Sequence, residues 1–332
     1  MDTHIQKQFI ALLKNVTPSH LSLAEELSEL LETSLDSIYR RLRCQTELTL
    51  SETFSICKHF DLPLESLSEI NSEIVAFKTN KLSSDTESFG HYLQVLHNDL
   101  GWIMKYPNYH LIYACEDLPV FYNFFFPRLG LFKMIYWNKS ILNSDAFQDK
   151  KIDEIKLPAA WMTEVPKIQE KFLRIPSTEI WNDDTLKSTL QQIKFYWESG
   201  FFEEKTSVLY IIDDLDSIVS MAAKQCSTGK KYNPIKDEFL DIKFTLYNSE
   251  LMIGNNTVQL RSDINQASYI GYNSFNFMRS NNKYFNESIY SWLNNMISKS
   301  TMLSVVAEKS RNQFFQHLHN SIDIFRHQVL TD

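Results

Sequence analysis

The strongest constraint in this chain lies in its first seventy residues, where three helix starts follow one another at short intervals. Ser22 with Glu25, and Thr49 with Glu52, have the capping-box spacing, in which a hydroxyl accepts the third amide of a helix and a carboxylate reaches back to the cap. Ser34 stands in a matching position before Leu35. The helices opened by these caps run through Leu23, Leu27, Leu30 and Leu31, over residues 35–43, and through Phe54, Cys57 and Phe60. Ahead of them, Ile5, Phe9, Leu12 and Leu13 fall at helical spacing over residues 3–14, and Thr17 and Pro18 end that segment. Leu62, Leu64 and Leu67 close the group. Connections this short force consecutive helices to cross at steep angles.

Within LSELLETSLDSIYRRL, Leu27, Leu31, Ile38 and Leu42 face inward, and Ser28 sits where the two helices cross. LTLSETFSICKHFDLPLESL follows with an apolar fourth helix, a short turn and a final leucine-bearing fifth helix. Residues 5–70 thereby resemble the lambda-repressor-like helix-turn-helix family, of Cro and repressor type. Two positions depart from that pattern. Glu32 or Thr33 stands in the tight turn that commonly holds glycine, where a left-handed residue carries modest strain, and Cys44 replaces the glycine common after the recognition helix.

The resemblance implies a bacterial-type, cytoplasmic transcription regulator that is not an enzyme and whose partner is double-stranded DNA. The third helix enters the major groove, and the positions opposite Ile38 and Leu42 reach base edges: Asp36, Ser37, Tyr39, Arg40 and Arg43, with Arg41 close by. Ser34 and the helix start behind it hold a backbone phosphate. A homodimer sets two such helices one DNA turn apart. The plain alternative for the arginines is a solvated helix face. For the whole module the alternative is a protein-interaction adaptor, because short helices of this kind also bind proteins.

Charge sharpens the DNA reading. The chain carries net −8, and residues 1–70 hold six Lys or Arg against eleven Asp or Glu. Glu25, Glu26, Glu29 and Glu32 lie on the second helix and the arginines on the third, so any DNA contact rests on one basic helix of an acidic domain. Non-specific binding is then weak.

With 332 residues the chain has room for more than this module. The boundaries expected are a helix-turn-helix domain over 1–72, a polar linker over 73–90 centred on SSDTES, and a larger domain over 91–332 that dimerises or receives a small-molecule or protein effector. A helix carrying Phe89, Leu93, Leu96 and Leu100 leads into that domain. Residues 110–115 read as a short buried strand, and residues 121–137 as two helices broken near Pro127. The aromatic run there supplies either an apolar ligand pocket or ordinary core. Helical periodicity returns over 183–197 and 203–226. Alternation at Ile242, Phe244 and Leu246, a turn at Gly254–Asn256 and then Val258 and Leu260 suggest antiparallel strands, with a further strand over 268–272. Two helices close the chain, one with Ile289, Trp292, Leu293 and Ile297, the other with Phe314, Phe315, Leu318, Ile322 and Phe325, a stripe suited to a dimer surface or to core. The fold class expected is α+β: an all-α head followed by a mixed α/β domain with a small, largely antiparallel sheet.

Chemical motifs are few. Asp213, Asp214 and Asp216 in YIIDDLDS read as a solvated helix face, since neighbours on a helix diverge by about 100°. STGKK lacks the first glycine of a phosphate loop, with Lys224 in its place. His317 and His319 lie on different helix faces. Cys44, Cys57, Cys115 and Cys226 form no CxxC pair. No cofactor or metal is implied, and no window approaches a membrane span.

Overall fold

A computed structural model describes residues 4–17, 22–60, 62 and 75–331. Pro18, Leu64, Leu67 and most of the polar stretch before residue 75 lie outside the described residues. The chain divides into two compact units, Met1–Phe77 and Lys78–Asp332.

In the first unit, helices α1 (His4–Val16), α2 (Leu23–Leu30), α3 (Leu35–Leu42) and α4 (Leu50–His59) enclose Phe9, Leu13, Ala24, Leu27, Ile38, Ile56 and Cys57. Each expected start is in place. Ser22 accepts the Glu25 amide and Ser34 the Ser37 amide, while Thr49 and Glu52 cap one another reciprocally. The ends are as well defined as the starts. At the end of α2, Thr33 N–H donates to Ser28 O and Glu32 N–H to Glu29 O; at the end of α3, Gln45 N–H donates to Arg40 O and Cys44 N–H to Arg41 O. This paired closure is the Schellman motif, and it needs a left-handed residue just past the helix. Glu32 (φ 49°) and Cys44 (φ 56°) take that conformation without being glycine.

The second unit is α+β, but its sheet is neither small nor simply antiparallel. Nine strands form it: β1 (Lys78–Thr79), β2 (His110–Ala114), β3 (Ser177–Trp181), β4 (Lys230–Asn233), β5 (Glu238–Asn248), β6 (Thr257–Arg261), β7 (Gln266–Tyr272), β8 (Asn276–Ser280) and β9 (Thr301–Met302). Their order is β1-β8-β7-β6-β2-β3-β5-β4, with β9 beside β5. The central pairs β2–β3 and β3–β5 are parallel. β6, β7 and β8 make an antiparallel meander on one side of β2. The turn near Gly254 therefore does not join a hairpin: β5 and β6 lie on opposite sides of the β2–β3 pair. Parallel strands need crossover connections, and here β2 reaches β3 through α6 (Val120–Asn123), α7 (Pro127–Tyr136) and α8 (Ala159–Arg174), and β3 reaches β5 through α9 (Lys187–Glu198), α10 (Lys205–Thr228) and the edge strand β4.

Alternation along the central strands separates two cores. Leu111 and Tyr113 of β2 and Trp181 of β3 join the large core with α5 (Thr86–Ile103), α7, α8, α10 and α12 (Glu308–Thr331). Ile112, Ala114 and Ile180 face a smaller core with Leu293 and Met296 of α11 (Lys283–Ser298). The apolar stripe of α12, from Phe314 to Val329, is buried in the large core. As a dimer surface those phenylalanines are not available.

The aspartates of α10 are structural. Asp214 Oδ2 accepts the amides of Arg128 (2.8 Å) and Leu129 (3.0 Å) at the open start of α7, which has no capping side chain of its own. Asp213 pairs with Arg326, and Asp216 lies 2.6 Å from His319 of α12. Gly229 (φ 68°) of STGKK ends α10 in the left-handed conformation. Asp214→Ala is expected to lower the stability of this unit by about 1–2 kcal/mol, the loss of a helix cap. All six tryptophans, from Trp102 to Trp292, lie in this unit, so urea unfolding followed by tryptophan fluorescence reads it directly.

Candidate functional site

The expected DNA-facing residues all lie on or beside α3, and they divide by what they touch. Ser34 Oγ is engaged at the cap with the Ser37 amide (3.4 Å) and the Ser37 hydroxyl (3.1 Å). Asp36 is exposed in the first turn, where a carboxylate complements the helix dipole. Tyr39, Arg40 and Arg43 are exposed, and the Arg43 guanidinium lies 6.0 Å from the Tyr39 ring, one turn away. Among the described residues neither Arg40 nor Arg43 has a carboxylate partner.

Arg41 behaves differently. Its guanidinium holds Glu52 of α4 at 2.7 Å and donates to Ser37 O at 3.3 Å. Burial raises the Glu52 carboxyl, but the Thr49 amide and Arg41 outweigh it and hold the group below its ordinary value. Gln6 of α1 completes the clamp: its amide nitrogen donates to Arg41 O and Thr46 O, both at 2.9 Å, and its oxygen accepts the Leu48 amide at 3.1 Å. Arg41 thus positions α3, while Arg40 and Arg43 are presented by it. The role of Gln6 has no sequence signal, because a polar residue on a surface helix reads as solvated.

On the same unit Leu50 and Phe54 are exposed one turn apart on α4, at 77% and 61%. A phenylalanine and a leucine side by side in water are unfavourable unless something covers them.

The second unit holds a polar cluster that alternation in the sequence did not signal. Glu179 of β3 is fully buried and accepts from Tyr122 Oη (3.1 Å), Trp181 Nε1 (3.1 Å) and Ser177 Oγ (3.2 Å). Gln225 donates to the same tyrosine oxygen at 2.9 Å. Lys231 Nζ, also fully buried, stands 3.7 Å from Glu179, beyond hydrogen-bonding reach, and 3.8 Å from the centre of the Phe172 ring. Burial pushes the Glu179 carboxyl up and the Lys231 ammonium down to about 8. With no exposed atom on either residue, the pair is a core element. Near it, Tyr113 and Asn123 line a cavity of about 20 Å³, room for one water-sized molecule.

No protein-family model, curated protein or solved structure matches the chain. Among the described residues no helix is long and apolar enough to cross a membrane, and no three metal-binding side chains converge.

Two outcomes follow from these geometries. Glu32→Gly and Cys44→Gly should each stabilise the first unit by about 0.5 kcal/mol, the left-handed strain removed less the entropy glycine adds to the unfolded chain; slower hydrogen exchange in α2 and α3 reads this. Lys231→Met should cost about 3–5 kcal/mol by leaving Glu179 without its countercharge. Adding Glu179→Gln to that variant should restore most of the loss in urea unfolding, whereas independent effects would simply add.

Proposed function

We propose that this chain is a DNA-binding transcription regulator. Its N-terminal unit reads the major groove with α3, and its C-terminal unit dimerises or receives a signal. The observation that carries this reading is the contrast on α3: among the described residues Arg40 and Arg43 stand exposed without carboxylate partners, while the arginine between them is tied to Glu52. An arginine fork matches guanine O6 and N7, or a phosphate, only if the helix that bears it is held rigidly. The capped start of α3, its Schellman end and the Gln6–Arg41 clamp supply that rigidity. Ser34, Ser37, Tyr39 and Asp36 fill out the same face. In a dimer the two helices stand ~34 Å apart, on half-sites one turn apart.

The charge balance of the unit argues for modest affinity per subunit. Among the described residues two of its acids are engaged in ion pairs, Glu52 with Arg41 and Glu26 with His59. The rest repel phosphate, and with two free arginines the salt slope should be roughly −2 per subunit.

Leu50 and Phe54 favour a second reading, an adaptor whose helical head binds a partner protein through α4. The two readings separate by mutation. In Arg40→Ala/Arg43→Ala, retention on mixed-sequence duplex DNA at low salt should fall about tenfold or more with the fold intact. Leu50→Ser/Phe54→Ser should leave retention unchanged. DNA behaviour unchanged in Arg40→Ala/Arg43→Ala, together with capture of a partner protein that is lost in Leu50→Ser/Phe54→Ser, supports the adaptor.

A further inference from the structure

The second unit carries, far along the chain from α3, a surface cleft of about 370 Å³, within the range of small-molecule sites. Part of its lining comes from a π-helical turn, Trp137–Ile141, that continues α7. Such turns are rare, because the wider winding weakens backbone packing, and they recur at functional sites. Here Trp137 and Asn138 of the turn are buried, and Lys139 and Ser140 line the cleft. Ser140 is tied in place by a hydrogen bond between its hydroxyl and that of Tyr196.

The charges in the cleft are uneven. Lys139 Nζ donates to Phe147 O and Lys150 Nζ to Ala146 O, both at 2.9 Å. These partners are neutral carbonyls, which fix the ammonium groups without cancelling their charge. Lys151 Nζ has a loose partner, Glu203, at 3.8 Å. Asp149 is the single carboxylate in the lining, against three lysines, on a chain whose net charge is −8. A local excess of positive charge on an acidic protein concentrates anions.

The walls are aromatic. Phe195 is exposed at 63% and meets Tyr196 edge-on at 5.5 Å, and Phe201 packs against Tyr196 at 4.6 Å. A flat ring laid on Phe195 would remove its face from water and gain an aromatic contact as well.

From the exposed ring, the excess of lysines over carboxylate in the lining and the π-turn together, we propose that this cleft binds a small aromatic anion, its ring against Phe195 and its carboxylate, sulfonate or phosphate held by Lys139, Lys150 and Lys151. The site lies wholly within the second unit and does not depend on the DNA reading.

The test uses the full chain and two dyes that differ by one group, 8-anilinonaphthalene-1-sulfonate and the uncharged N-phenyl-1-naphthylamine, titrated by fluorescence. The sulfonated dye is expected to saturate one site and to bind about tenfold more tightly than the neutral one. In Lys150→Gln/Lys151→Gln the sulfonated dye should lose about tenfold while the neutral dye is unchanged, and Phe195→Ala should weaken both. All three side chains are exposed, and unchanged tryptophan emission and unfolding midpoint show that the variants fold. Absence of a saturable sulfonate site, equal binding of the two dyes, or lysine variants that bind the sulfonated dye as the parent does would overturn the proposal.

Discussion

The contact on which the N-terminal unit turns is the ion pair between Arg41 and Glu52. Glu52 does two things at once: it accepts the Thr49 amide to start α4, and it holds the guanidinium that projects from α3. The Arg41 carbonyl in turn receives Gln6 from α1 and closes the left-handed end of α3 at Cys44. Three helices are thereby referenced to one residue. A surface ion pair contributes little stability by itself. Its value here is geometric, since a half-buried, doubly anchored arginine fixes the direction in which its two neighbours point.

The second unit is organised by a different constraint, the parallel run β2–β3–β5. Its middle strand is buried on both faces, so every side chain of β3 must find a partner inside the protein. Ile180 and Trp181 do so by packing. Glu179 does so through three hydrogen-bond donors and a lysine brought from β4. That arrangement ties the edge strand to the centre of the sheet, and it specifies the register of both more sharply than an apolar pair would. Asp214 plays a comparable part between α10 and α7.

Legibility from sequence followed the range of the interactions. Caps act over three residues, and Ser22, Ser34 and Thr49 were readable as helix starts, as were most of the long helices of the second unit. The left-handed turns were visible as missing glycines at Glu32 or Thr33 and at Cys44, and the structure puts the first at Glu32. The sheet was not readable to the same degree. β3 reads Ser-Thr-Glu-Ile-Trp, with three polar residues ahead of its apolar pair and no alternation to mark it, and the lysine that pairs with Glu179 lies some fifty residues away. α8 contains Pro166, which argues against a helix interior and leaves the carbonyl four residues earlier without its amide. The two-residue strands β1 and β9 exist only through pairing, to β8 and to β5. On α3, helical spacing set Arg41 a little apart from Arg40 and Arg43, and its distance to Glu52 shows that it positions the helix, while among the described residues the other two have no carboxylate partner.

The central claim is that α3 presents Arg40 and Arg43 to the major groove in pairs. Selection of bound sequences from a random duplex library by the full chain tests it most directly. An enriched, two-fold-related motif with half-site centres about 10 base pairs apart is expected, lost in selections with Arg40→Ala/Arg43→Ala. Recovery of no enriched sequence, or the same motif from that variant, would contradict it.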